Sequence, residues 1–149
     1  MAYKFYGSDT PSIKPINPDF KNIKDQRHLY DLMSNIWCEY SCAPRYRKEW
    51  SKDNMTVGQC SITSFLIQDI FGGSVYGVPL DEGGFHCFNK VGYVIFDLTS
   101  EQFKGKKLEY TLNFEQSREE HFASQEKYER YLYLKDALLK ILNQHISTY

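Results

Sequence analysis

The stretch Gly58-Gln59-Cys60-Ser61-Ile62-Thr63-Ser64-Phe65-Leu66-Ile67-Gln68-Asp69-Ile70-Phe71-Gly72-Gly73 decides the reading of this chain. Ile62, Phe65, Leu66, Ile67 and Ile70 form an apolar run that predicts a buried helix. The glycine pair after Phe71 stops it, because glycine enters the left-handed capping conformation at little cost. Cys60 therefore falls at or near a helix N-terminus. A thiol attacks a carbonyl carbon only as the thiolate, and a helix N-terminus supplies partial positive charge and unpaired N–H groups that favour the anion. A cysteine in an apolar helix is ordinarily a small buried hydrophobe, so its neighbours in the fold decide what it does.

Upstream, Leu29, Leu32, Met33, Ile36, Trp37 and Tyr40 recur at three- and four-residue steps and predict an amphipathic helix that runs from Asp25 until Pro44 ends it. A polar loop through Arg45 to Val57 leads into the cysteine. Before Asp25 the closely spaced Pro11, Pro15 and Pro18 predict an extended arm. Downstream, Val75 to Val78, Phe85 to Asn89 and Tyr93 to Leu98 read as strands, with Lys90-Val91-Gly92 as a hairpin turn. A further strand is expected over Leu108 to Phe114. The chain closes on a helix whose Tyr128, Tyr131, Leu132, Leu138, Leu139 and Leu142 share a face.

A nucleophile needs a base, and the base needs a group that fixes its tautomer. His86 on one hairpin strand and Asp97 on the other fill those roles. If paired residue numbers sum to 183, the two are direct neighbours on one face; a sum of 182 puts them on opposite faces unless a bulge intervenes. A strand-end aspartate is often only a turn former. The order Cys60, His86, Asp97 on these elements is what favours a Cys-His-Asp triad.

The run GQCSITSFLIQDIFGG, the H-x-x-N within FHCFN and the segment FDLTSEQF resemble the YunG-like family of small bacterial proteins of unknown function. More distantly, a cysteine at a helix start, a histidine on a strand and Asp-x-Thr on the next are similar to the transglutaminase-like and papain-like superfamily, which includes NlpC/P60-type hydrolases. The resemblance covers about Trp50 to Phe103 and extends weakly through SREEHF to the last helix; the first twenty or so residues lie outside it. It implies a Cys60, His86, Asp97 triad on a papain-like core. Two departures stand out. Papain-like proteases place a glutamine several residues before the cysteine, whereas Gln59 adjoins it, so the backbone N–H of Cys60, with Gln59 or a nearby loop donor, is assigned to a developing oxyanion. Cys87-Phe88 also follows His86 where the pattern commonly has Tyr or Trp. Asn89 matches the motif asparagine and is expected either to hydrogen-bond near the site or to open the hairpin turn.

The 149 residues fit one domain, and 18 basic against 19 acidic residues give a net charge of -1, which argues against nucleic-acid binding. With no leader-like or membrane-spanning apolar run, the expectation is a soluble, cytoplasmic protein with no membrane partner. Cys38, Cys42, Cys60 and Cys87 lack the spacing of a secreted disulfide framework and are read as free thiols. Cys38 and Cys42 with His86 and Cys87 make a poor zinc set, so no metal or cofactor is expected. His28, His121 and His145 are read as solvated, and Lys104, Lys106 and Lys107 as a solvated turn.

The combined expectation is an α+β fold: an extended arm over 1–24 and a single papain-like domain over 25–149. An antiparallel sheet packs on the cysteine-bearing helix, flanked by the first and last helices. The expected function is hydrolysis or acyl transfer at an amide or ester, peptides and proteins included. The alternatives are a non-catalytic peptide- or protein-binding module and a thiol redox sensor.

Overall fold

The computed structural model describes residues 3–147, with side chains described through Gln144. The architecture is mixed α+β. Helix α1 (Gln26–Met33) is followed by α2 (Cys60–Phe71), a sheet of β1 (Ser74–Pro79), β2 (Phe85–Val91) and β3 (Val94–Phe96), a short α3 (Arg118–Phe122) and a long α4 (Gln125–Ser147). The sheet is antiparallel in the order β1-β2-β3. Helix α2 packs on β2 on one side and on α4 on the other.

The buried helix appears where the glycines place it. Gly72 and Gly73 take φ of 82° and 76° and end α2 after Phe71. Helix α1 is capped by Asp25, whose carboxylate accepts from the His28 N–H at 3.0 Å. It stops at Met33, well before Pro44. Ser34 Oγ and Asn35 Nδ2 turn back to the carbonyls of Tyr30 and Asp31, competing with the helical ladder. Ile36 and Trp37 still enter the core, so the apolar spacing continues through a turn that is not helical.

The hairpin turn is Gly92-Tyr93, one step later than the sequence suggests, with Val91 opposite Val94. Gly92 has φ of 59° while Tyr93 stays at negative φ, the preference of a two-residue turn with glycine first. The expected strand over 108–114 does not form: the Thr111 N–H bonds back to the Glu109 carbonyl at 2.9 Å, and only Glu115 bridges to Tyr76 at the edge of β1. Tyr110 is instead drawn towards Asp97 and stacks on Tyr6 at 3.9 Å.

The main core joins Leu29, Met33 and Trp37 to Ile62, Leu66 and Ile70 of α2, Phe96 of β3, and Tyr131, Leu134, Leu138 and Leu142 of α4. Tyr128 and Leu132, expected on the apolar face of α4, are largely exposed, and Leu134 takes the inward position. Among the described residues before Asp25 there is one 3-10 turn, Pro18–Phe20, and the rest are non-helical. Its Phe5, Phe20 and Ile23 are buried in the same core. The Tyr6 carbonyl accepts from the Asp97 N–H at 2.9 Å, so the arm's backbone fixes the end of β3. Among the described residues, no helix is long and apolar enough to cross a membrane.

Candidate active site

Cys60 is the first residue of α2, after Gln59 at the cap. The first intrahelical bond runs from the Thr63 N–H to the Gln59 carbonyl at 3.2 Å, so the N–H groups of Cys60, Ser61 and Ile62 precede the ladder at the positive end of the helix. Gly58 shapes the approach. At φ of 69°, any Cβ there would lie 2.5 Å from Cys42 Sγ, so only glycine fits between the loop and the helix start.

His86 and Asp97 meet by a register other than the two considered from sequence. Paired residues Asn89 with Phe96 and Val91 with Val94 sum to 185. His86 and Asp97 are thus diagonal neighbours on one face, and Asp97 lies one residue past β3, bridged to Tyr6. His86 Nε2 and Asp97 Oδ2 are 2.6 Å apart, with both side chains 1% exposed. The carboxylate is held from every other direction. Oδ1 accepts from the Thr99 N–H at 3.1 Å and the Thr99 hydroxyl at 3.2 Å, and Oδ2 accepts from the Tyr110 hydroxyl at 2.8 Å. The edge of Phe103 packs on the imidazole at 4.7 Å between centroids. With Nε2 committed to Asp97, Nδ1 is the nitrogen left for the thiol.

The electrostatics of the three groups agree with an ion pair. The Cys60 thiol is held well below its ordinary value by a hydrogen bond with Cys87, against burial, and then by the charge and hydrogen bond of His86. Burial pushes His86 down, but the charges of Asp97 and Cys60 outweigh it and raise it to about 10. Cys87 moves up, because its thiol donates to Cys60 and because it is buried. The three shifts run in the direction of an acidic thiol on Cys60, a more basic His86 and a less acidic Cys87.

The other thiols sit elsewhere. Cys42 is buried, and burial raises it to about 11. Cys38 lies beside the Tyr133 hydroxyl at 3.8 Å; hydrogen bonding from Ser41 overcomes burial and lowers it. Cys38 and Cys42 thus do not join His86 and Cys87, and among the described residues no group of three or more His, Cys, Asp or Glu side chains is arranged to hold a metal ion.

Gln59 and Asn89 both donate to backbone carbonyls. The fully buried Gln59 side chain donates from Nε2 to the Cys38 carbonyl at 3.0 Å, while its Oε1 is buried without a partner. Asn89 lies inside β2 instead of opening the turn, and donates to the Ser64 carbonyl at 2.9 Å, fastening β2 to α2 one turn beyond Cys60.

Two clefts open on Cys60. One, of about 580 Å³, is bounded by Gly58, Phe85, Cys87, His121 and Lys127; the other, of about 170 Å³, is bounded by His86, Phe103, Glu49 and Glu82. His121 is not solvated: both ring nitrogens are covered and without a partner, and burial, with Lys127, Arg130 and Arg118 nearby, lowers it to about 4. The His145 side chain lies outside the described residues. Lys104, Lys106 and Lys107 are exposed at the edge of a separate cavity of about 660 Å³ behind Tyr110.

Sequence reasoning missed Cys87, Tyr110 and His121 as parts of the site. Only Thr99 had a local signal, the Asp-x-Thr spacing that lets a carboxylate accept from a backbone N–H two residues on. Tyr110 reaches Asp97 through an irregular segment with no periodicity.

Residues 25–143 match the family model described as YunG protein. The chain is 32% identical over 116 residues to the uncharacterized protein YunG of Bacillus subtilis (strain 168), an alignment covering 78% of this chain and 93% of that protein. No solved structure matches. All three triad candidates fall within the matched residues, whereas Tyr6, which bridges to Asp97, lies before them. The chain belongs to the YunG family.

Proposed function

We propose that this protein is a thiol-dependent hydrolase or acyltransferase acting on an amide or ester through Cys60, His86 and Asp97, on a core of papain-like type. The observation that carries the reading is the buried 2.6 Å contact between His86 Nε2 and Asp97 Oδ2, which leaves the other ring nitrogen for a Cys60 thiolate at the mouth of two clefts. The thiolate attacks the carbonyl carbon, and the N–H groups at the start of α2 stabilise the oxyanion. As the tetrahedral intermediate collapses, the bond to the leaving nitrogen or oxygen breaks and His86 gives that atom its proton. His86 then takes a proton from water or an amine, which attacks the thioester; the carbon–sulfur bond breaks and the thiolate returns. Asp97 orients the imidazole and stabilises its charge throughout.

The test is competitive alkylation with iodoacetamide at neutral pH, mapped to each cysteine. Cys60 is expected to react much faster than Cys42 and Cys87, and faster than Cys38, with the Cys60 rate alone falling in His86→Ala. Equal rates for all four thiols would sink the proposal.

A second reading has one observation in its favour, the contact between Cys60 and Cys87. In a redox sensor, peroxide would oxidise the Cys60 thiolate to a sulfenic acid with release of hydroxide. Cys87 would then displace water to form a disulfide. Rapid peroxide reaction with no acyl adduct from any ester or amide probe favours this reading.

A further inference from the structure

The charges around the larger cleft are unevenly spent. Its charged lining comprises Arg45, Glu126, Lys127 and Arg130. Arg130 is 3% exposed, paired with Glu126 and bonded to the Ser41 carbonyl at 2.9 Å, so its charge is neutralised in place. Arg45 also lines the smaller cleft, where its charge registers at Glu82, and its guanidinium lies over Tyr46 at 4.7 Å. Lys127, like Arg45, makes no ion pair among the described residues, and of the two clefts it lines only the larger. Its charge registers at both Cys87 and His121, which puts it near the thiol and the wall of the cleft. His121 contributes a ring packed between Phe65 at 4.8 Å and Phe122 at 4.7 Å, with two nitrogens that lack any hydrogen-bond partner.

We infer that the larger cleft selects an acyl substrate carrying a carboxylate close to the scissile carbonyl, with Lys127 pairing the charge. This rests on the thiol chemistry proposed above and names its substrate class. A lining with three cations, Arg45, Lys127 and Arg130, against the single carboxylate of Glu126 matches a negatively charged group. The carbonyl then faces Cys60 while the carboxylate lies towards α4. Lys127 is here a specificity residue and takes no part in the bond-making steps.

Iodoacetate and iodoacetamide, alike in size and leaving group but different in charge, supply the test. The ratio of their rate constants at Cys60 cancels any general change in thiol reactivity, and the attraction of iodoacetate to His86 is common to all variants. Lys127→Gln is expected to lower the iodoacetate-to-iodoacetamide ratio about three- to tenfold, Lys127→Glu to lower it further, and Lys127→Arg to restore it to within about twofold. Lys127 is exposed, so these variants are expected to fold, which circular dichroism checks. A ratio unchanged in both Lys127→Gln and Lys127→Glu would overturn the inference. Slow reaction of Cys60 with both reagents, with the ratio still following Lys127, would instead refute the thiol chemistry while leaving the charge preference of the cleft standing.

Discussion

Replacing Asp97 with Asn removes one negative charge and puts a donor amide where Oδ2 accepts from His86 and Tyr110. The side chain keeps its shape, and its carbonyl oxygen can still accept from the Thr99 N–H that now bonds Oδ1 at 3.1 Å. What changes is the imidazole. His86 stands at about 10 against an ordinary 6.5 although burial pushes it down, and Asp97 is the largest of the groups raising it. Removing one partner of such a buried pair costs about 3–5 kcal/mol, which at 1.36 kcal/mol per unit is about 2–4 pKa units. His86 then falls to about 6–8, and much of its positive charge is gone at neutral pH. Cys60 keeps the hydrogen bond from Cys87 but loses the imidazolium, so its pKa is expected to rise towards the ordinary thiol value. The assay is the pH profile of Cys60 alkylation by iodoacetamide between about pH 4 and 10. The midpoint is the informative quantity, because a less acidic thiolate is also more nucleophilic and partly compensates the rate at any single pH. In wild type the reactive form appears as pH rises through the depressed Cys60 pKa, and the imidazolium is lost only near 10. A folded Asp97→Asn protein whose midpoint stays within about 0.3 units of wild type would refute the coupling of the three groups.

Gly58→Ala is expected to cost about 2–3 kcal/mol in urea unfolding, because it combines a positive φ with a 2.5 Å approach to Cys42 Sγ; Cys42→Ala in the same chain should relieve part of the loss. Phe5→Ala removes a ring that is 2% exposed and stacked on Tyr30 at 5.1 Å, one residue before the contact that fixes Asp97. It should cost about 3–5 kcal/mol, lowering Tm by about 6–15 °C, and a variant as stable as wild type would deny the arm its place in the core. His121 binds its proton more weakly when folded, at about 4 against 6.5, so the unfolded chain holds more protons across that window and stability falls as pH drops from 6.5 to 4. After allowance for the partly exposed ring, the loss is about 1–2 kcal/mol. His121→Phe should flatten that part of the stability–pH curve; an unchanged slope would show that His121 titrates normally.

The parts of the fold legible in the sequence were those set by local rules. The glycine pair ended α2 where capping chemistry requires it, and the apolar run before it placed Cys60 at the helix start. Alternation brought out β1 and the two hairpin strands. Errors arose where tertiary contacts overrode local pattern. Ile36 and Trp37 kept a helical spacing because the core needed them, although Ser34 and Asn35 had already ended the helix. The 108–114 segment looks like a strand, but Tyr110 is committed to Asp97 and Tyr6. In the site, the residue types and order of Cys60, His86 and Asp97 were readable, but a register summing to 185 was not, because it depends on a turn placed one residue later. Nor does the sequence alone show that His121 lies in a wall without a partner, since its helical neighbours are polar.

The central claim is that Cys60 is an acyl nucleophile assisted by His86. Mass spectrometry of the intact protein after a brief exposure to a p-nitrophenyl ester, followed by peptide mapping, tests it most directly. A single acyl group on Cys60, absent in Cys60→Ser and strongly reduced in His86→Ala, is the expected result. No adduct, or acylation spread evenly over Cys38, Cys42, Cys60 and Cys87, would contradict it.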